Sequence, residues 1–362
     1  MINKTDPKTR TGYPEQQKTN GMITLKFETE SLNQMHREIR GIADDLDTAL
    51  RTDTGIKRKY SNILICGMGA SAIGGALLAN SMYYASRVPV IVAKTMALPA
   101  WADKDTLFVA CSYSGNTYET LELYSQAIDA GLDVVAVTGG GKLESMSKEN
   151  RNIILKIGGN RIQPRSAIGW FVGLLGKVIG DAGGVDMTSS LSEMVLRLIQ
   201  YRDEFESEDS YAREVAGHLS GKVPVIYGAP DLSVASLRMK TQLNENSKVI
   251  AFSGELPEFN HNEIVGWYDD PFRKEYSILI MKDRSLDKID DIIKASKDLL
   301  DSRSICLHTL TVKGDSVLEK NLYAVMFGDY VSLYLADMRK VDPCDVSPIL
   351  DIKSRLARYL KH

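Results

Sequence analysis

Histidine is scarce in this chain, with five among 362 residues. Cysteine is scarcer: Cys66, Cys111, Cys306 and Cys344 lie far apart, with no CxxC pair and no metal-type spacing. Cys66 and Cys111 each close an apolar run and read as free buried thiols, which points to a reducing cytoplasm. His36, His218, His308 and His362 have no partner at ligand spacing, so neither a metal nor another cofactor is expected. Long apolar runs are also missing. None approaches the ~20 residues that cross a bilayer, and the amino-terminal segment has no signal-peptide core, so no membrane partner is expected. Nor is one sign of charge in excess: 44 Lys and Arg against 47 Asp and Glu leave a formal −3. That balance argues against a nucleic-acid binder held by bulk electrostatics, and any anionic ligand must be captured by a local set of donors.

What is present is ordinary globular material, 44% hydrophobic and 25% charged, in a chain too long for one comfortable core. The opening MINKTDPKTRTGYPEQQKTNG is polar and turn-rich and reads as an appendage to the fold. Apolar residues at helical spacing (Leu32, Met35, Ile39, Ile42, Leu46, Leu50) predict one helix over 31–50. Short apolar runs follow: NILIC (62–66), VPVIVA (88–93), TLFVAC (106–111), DVVAVT (133–138) and NIILKI (152–157). They suit strands buried on both faces. Helix-forming segments at 71–84 and 117–130 separate some of them, and this alternation predicts a parallel α/β sheet.

The second half repeats the theme. VPVIYG (223–228), KVIAFSG (248–254), YSILIM (276–281) and SICLHTLT (304–311) are strand candidates, with helices predicted at 232–243, 286–300 and 316–337. Both halves open alike, ILICGMGASAIGGALL and PVIYGAPDLSVASLRM, which hints at an internal duplication. The predicted division is a tail and leading helix over 1–50, one domain over 51–205 and another over 206–362. The charged run DEFESEDS (203–210) near the boundary reads as a solvated helix face and loop.

Two loops of the first half look built for a phosphate. GMGASAIGG (67–75) joins a strand to a helix, where glycine lets the backbone approach a ligand and the helix dipole favours an anion. Glycine-rich turns of this kind are common, so alone it says little. SYSGNT (112–117) says more, because Ser112, Ser114, Thr117 and Gly115 at a helix start give a neutral cluster of donors. The alternative is a simple helix cap by Ser114 or Thr117. Where the second half would carry such serines it has Lys282, Asp283 and Arg284.

This pair of loops resembles the sugar isomerase (SIS) family, whose mark is a glycine-serine loop plus an S-x-S-G-x-T loop. QPRSAIGW (163–170), LNENSK (243–248), LPEFNHNEIVGW (256–267) and VDPCDVSPILDIKSRL (341–356) extend the resemblance to the bifunctional phosphoglucose/phosphomannose isomerases, a group of two SIS domains. It covers about residues 30 to 360. It implies two flavodoxin-like α/β sandwiches, each a parallel sheet flanked by helices, and an aldose–ketose isomerase acting on a small sugar phosphate.

By this resemblance Gly69, Ser71, Ser112, Ser114 and Thr117 bind the phosphate. Glu245 of N-E-N is the base that carries a proton between C2 and C1, and Arg165 of P-R-x-A stabilises the enediolate. A cation placed at a helix start opposes the helix dipole, so a nearby anion would explain Arg165. His261 of N-H-N-E opens the sugar ring by passing a proton between the ring oxygen and O1, a task suited to imidazole. It is implied to reach the other subunit's site, which makes the protein a homodimer. Glu263 is a candidate to orient that motif and an alternative base. Lys353 is implied to assist ring opening, although Ile352, Cys344 and Asp345 depart from the family pattern around it. Ser347 is a candidate for the small residue that leaves room for C2–C3 rotation, which dual specificity needs. Other readings are another SIS enzyme acting on an amino-sugar phosphate, with the lack of a glutaminase region counting against an amidotransferase; a sugar-phosphate sensor, against which the lack of a DNA-binding helix-turn-helix counts; or a dehydrogenase, for which the expected ribose-binding acid is absent near 92–100.

Overall fold

The alternating faces of the short apolar runs settle the first sheet. In the computed structural model, which describes residues 15–19, 22–159, 163–284, 287–302 and 305–359, a hairpin of β1 (Glu15–Thr19) and β2 (Met22–Lys26) leads into α1 (Glu30–Arg40) and α2 (Ile42–Leu50). Then come β3 (Asn62–Gly67), α3 (Ala70–Met82), β4 (Val90–Ala93), β5 (Thr106–Ser112), α4 (Tyr118–Asp129), β6 (Asp133–Thr138), α5 (Gly141–Glu149) and β7 (Ile153–Lys156). Their parallel sheet has the order β4-β3-β5-β6-β7. Ile63, Ile65, Leu107, Val109 and Val135 pack to one side, with Ile73 of α3. Leu64, Cys66, Phe108, Ala110 and Val134 pack to the other, with Leu123 and Ala127 of α4. Both faces are covered, as a parallel sheet requires.

Three helices follow, α6 (Ile168–Gly183), α7 (Met187–Phe205) and α8 (Tyr211–Leu219). The second unit comprises β8 (Val223–Gly228), α9 (Ser233–Ser247), β9 (Phe252–Glu255), α10 (Glu263–Asp269), β10 (Tyr276–Lys282), α11 (Asp287–Asp301), β11 (Cys306–Thr311), α12 (Val317–Met338) and α13 (Ser347–Tyr359). Its parallel sheet runs β11-β10-β8-β9. Counted within each half, both sheets share the order 2-1-3-4, the first adding a fifth strand. This is the flavodoxin-like winding, with the ligand crevice where strands 1 and 3 diverge. Helix α12 is buried along nearly its whole length and packs on α9, α8, α7, α3 and α1. Cys66 and Cys111 are free and buried, and burial pushes the Cys66 thiol up to about 12 and Cys111 well above its ordinary value.

Several expectations shift. The single helix over 31–50 is two helices that meet at Gly41, whose N–H bonds to the carbonyls of Arg37 and Ile39. The opening segment contributes β1, which pairs with β2, and the chain beyond β2 inserts Phe27 into the core against His36 and Tyr334. Residues 1–14 and 20–21 of that opening lie outside the described residues. The run 203–210 is not wholly solvated: Glu206 is buried, ion-paired with Arg40, and hydrogen-bonded by His36 at 2.8 Å and Tyr330 at 2.5 Å. Strand β9 starts at Phe252 rather than 248. Lys248 turns into the left-handed region at φ +55° and ends α9, and Val249 is held back on that helix by Leu243 O and the Asn244 side chain. Helix α9 therefore runs to Ser247 and carries Glu245 in its last turn.

Candidate active site

The two serine loops sit at the carboxyl ends of β3 and β5, neighbours at the point where the strand order reverses. Gly69 caps α3 with φ +54°. Ser71, one residue into that helix, is buried, and its Oγ accepts the N–H of Tyr113 at 3.4 Å, which ties the first loop to the second. Within the second loop Ser112 Oγ lies 3.0 Å from Thr117 Oγ1 and accepts the Gly115 N–H at 3.1 Å. Thr117 occupies the cap position of α4 but makes no side-chain capping bond. Ser114 Oγ accepts the Asn116 N–H. Neither hydroxyl does the work of a helix cap. Gly115, at φ +65°, lies so close to the 138–141 turn that a Cβ would fall 1.7 Å from the Gly140 carbonyl oxygen. At the carboxyl end of β10 in the second sheet stand ion pairs instead, Lys282 with Asp290 and Lys320 with Asp283.

Arg165 lies in a 3-10 turn (Pro164–Ala167) that enters α6 and packs against α3. It is 3% exposed. Four bonds hold its guanidinium: Nε to Asn246 Oδ1 at 2.8 Å, Nη1 to Gln163 Oε1 at 2.7 Å and Glu245 Oε2 at 3.2 Å, and Nη2 to the Pro343 carbonyl at 2.6 Å. Burial lowers the pKa of the guanidinium and the Glu245 carboxylate opposes that shift. The Glu245 side chain keeps about a third of its surface exposed (32%), so one end is held while the other faces solvent. A fixed cation beside a reachable carboxylate can move a proton at carbon and stabilise the oxyanion that results.

Not every sequence candidate joins this group. His261 is exposed at the end of the 3-10 turn Glu258–His261, and no described hydrogen bond links it to Arg165 or Glu245. Its turn is pinned by buried Phe259, by Asn260 to Ser296, and by Asn262, which caps α10. Glu263 accepts the Tyr227 hydroxyl in the second unit and shares no described bond with Arg165. Lys353 and Ser347 are exposed on α13. Other histidines are not isolated: His36 bonds to Glu206, and the rings of His218 and His308 stack at 4.0 Å. Among the described residues no group of three His, Cys, Asp or Glu is arranged to hold a metal, and no helix is long and apolar enough to cross a membrane.

Gln163, Asn246 and the 342–345 turn belong to the resembling motifs, and the sequence assigns them no role; all three hold Arg165 or its neighbours, and Gln163 also donates to the Cys344 carbonyl at 3.0 Å. A second buried arginine, Arg238, was missed altogether. The signal for it was a charged residue in the middle of the otherwise core-facing stretch VASLRM of α9.

The fold is shared with solved structures. The C-terminal domain of glucosamine-fructose-6-phosphate aminotransferase from Francisella tularensis superposes with a TM-score of 0.67 over 85% of this chain and 97% of that one, at 15% identity. The family model for the bacterial phospho-glucose isomerase C-terminal SIS domain matches residues 208–356. This match makes the second unit an SIS domain. More specific relatives are the bifunctional phosphoglucose/phosphomannose isomerases of Thermoplasma acidophilum, 32% identical over 90% of this chain and 98% of the relative, and of Aquifex aeolicus, 33% identical over 83% and 92%. The chain belongs to the bifunctional phosphoglucose/phosphomannose isomerase family.

Proposed function

We propose that this protein interconverts glucose 6-phosphate, and mannose 6-phosphate, with fructose 6-phosphate. The observation that carries this reading is Glu245 held 3.2 Å from the buried Arg165 guanidinium. Gly69, Ser71, Ser112, Ser114 and Thr117 take the phosphate. Glu245 removes the proton from C2 of the open-chain aldose as the C1 carbonyl becomes the enediolate oxygen, and Arg165 supports that charge. The proton of the C2 hydroxyl passes to O1, the same carboxylate returns its proton to C1, and the carbonyl reappears at C2. Electrons and atoms balance within the substrate, so the chemistry calls for no redox cofactor. His261 opens the ring from the partner subunit of a homodimer, and Lys353 assists it. Family membership and the exposure of both side chains within one chain support this arrangement. The setting is the cytoplasm, and the two SIS units are divided near residue 205.

The test is to incubate the purified protein with fructose 6-phosphate and quantify both aldose phosphates separately. Both products at comparable rates are expected. Glucose 6-phosphate alone would keep the mechanism and remove dual specificity, and neither product would overturn the isomerase reading.

A further inference from the structure

Beside the Arg165–Glu245 pair stands one more cation, with no part in the mechanism above. Lys248 follows α9 directly with φ +55°, and its N–H bonds to the Leu243 carbonyl. This cap position ordinarily takes glycine or asparagine, because a Cβ is penalised there. A lysine therefore occupies it at a cost, and the side chain shows a reason. Its Nζ reaches back to donate to the carbonyl oxygen of Glu245 at 2.5 Å. The bond closes the last turn of the helix around the residue that carries the carboxylate, and the ammonium complements the negative end of the helix dipole.

We propose that Lys248 is a positioning residue of this site, holding the last turn of α9 so that the Glu245 carboxylate stays against Arg165. The proposal rests on the reading of Glu245 as the base. Lys353 does not fill this place, since it is exposed on α13. The groups that face Lys248 are Glu245 on its own helix, Arg165 from the turn before α6, and Asp342, Cys344 and Asp345 from the turn between α12 and α13. Burial lowers the pKa of the ammonium, Arg165 lowers it further, and Asp345, Asp342 and Cys344 oppose both. The charge is therefore lost below the ordinary lysine range. A neutral amine is the weaker donor, so turnover should decline on the alkaline side as Lys248 loses its proton.

The experiment measures kcat and KM for fructose 6-phosphate from neutral to alkaline pH in the wild type, Lys248→Met, Lys248→Arg and Glu245→Gln, with the melting temperature of each. Lys248→Met is expected to lower kcat about tenfold, the scale of a slightly misplaced catalytic group, with little change in KM and no alkaline limb. Lys248→Arg should recover most of kcat at neutral pH and move the alkaline limb upward. Wild-type kcat in Lys248→Met overturns the proposal. So does a loss that Lys248→Arg fails to reverse while both variants melt early, which would mark a merely structural residue. Turnover by Glu245→Gln at the wild-type rate would overturn the base itself and the positioning role with it. An inactive Glu245→Gln beside a fully active Lys248→Met would overturn the positioning role alone.

Discussion

Arg238 donates from Nη2 to the backbone carbonyl oxygen of Arg165 at 2.9 Å. The same guanidinium is paired with Asp329, Nε to Oδ1 at 3.2 Å and Nη2 to Oδ2 at 3.1 Å, and both side chains are 1% exposed. A buried ion pair between α9 and α12 in the second unit thus fixes the backbone from which the arginine of the first unit projects. Glu245 and Asn246, two of the three side-chain partners of Arg165, lie on α9 as well. One helix holds Glu245, Asn246 and the brace behind Arg165.

Asp329→Ala should therefore damage both stability and turnover. Removing one partner of a buried pair leaves an uncompensated charge, and such losses run to about 3–5 kcal/mol. Urea unfolding should show the loss, and kcat should fall in the same variant because Arg165 loses its backbone brace. A variant with unchanged unfolding would show that the pair is not needed in the folded state.

Gly115→Ala should break the 112–117 loop, the proposed phosphate site. A left-handed backbone costs a residue with a Cβ about 1–2 kcal/mol, and the contact with the Gly140 carbonyl cannot be relieved without moving one of the two turns. The expected result is a large rise in KM for fructose 6-phosphate and weakened binding of inorganic phosphate as inhibitor, measured by steady-state kinetics. Unchanged KM would place the phosphate elsewhere.

Glu245→Gln and His261→Ala should each abolish isomerisation while retaining substrate binding. If the two residues serve one site from different subunits, unfolding and refolding the two inactive variants together should restore activity. In mixed dimers one site then combines an intact Glu245 with an intact histidine from the partner. Refolded mixtures that stay inactive would put both residues in the same chain's site.

The carboxyl of Glu144 gives a stability prediction with a defined pH window. Hydrogen bonds from Lys156 and then Lys148 hold its pKa down at about 2, against an ordinary 4.5. A carboxylate whose folded pKa is depressed adds stability that is fully present above the unfolded value and is lost as pH falls through the folded one. The Lys156 pair ties α5 to β7 and the Lys148 pair lies within α5, both at the surface, so the effect is small. Urea midpoints of Glu144→Gln should lie slightly below the wild type at neutral pH, and the gap should close progressively from about 4.5 toward 2. A gap independent of pH would assign the contribution to packing.

Much of this protein was legible from local sequence. The short apolar runs became the two parallel sheets because a strand with both faces covered must be apolar at successive positions, as β5 is from Leu107 to Cys111. Gly69, Ser71 and the 112–117 loop are legible as strand-to-helix turns rich in glycine and hydroxyls, and their assignment to a phosphate comes from the resemblance to the SIS proteins. Boundaries were less legible where a residue broke its own pattern. Gly41 divided a periodic run into two helices, and Lys248 converted an apolar strand-like stretch into a helix cap.

Tertiary structure decided the rest. Nothing in the spacing of residues 80 apart could say that Arg165 meets Glu245 and Asn246, or that the Pro343 carbonyl, almost 180 residues on, completes its shell. Nor did the charged run 203–210 announce that Glu206 would be enclosed by His36, Arg40 and Tyr330. Local chemistry selects strands, turns and the residue types a phosphate needs. Long-range packing selects which of the buried charges find each other, because a buried charge is tolerated only where partners from distant segments converge on it.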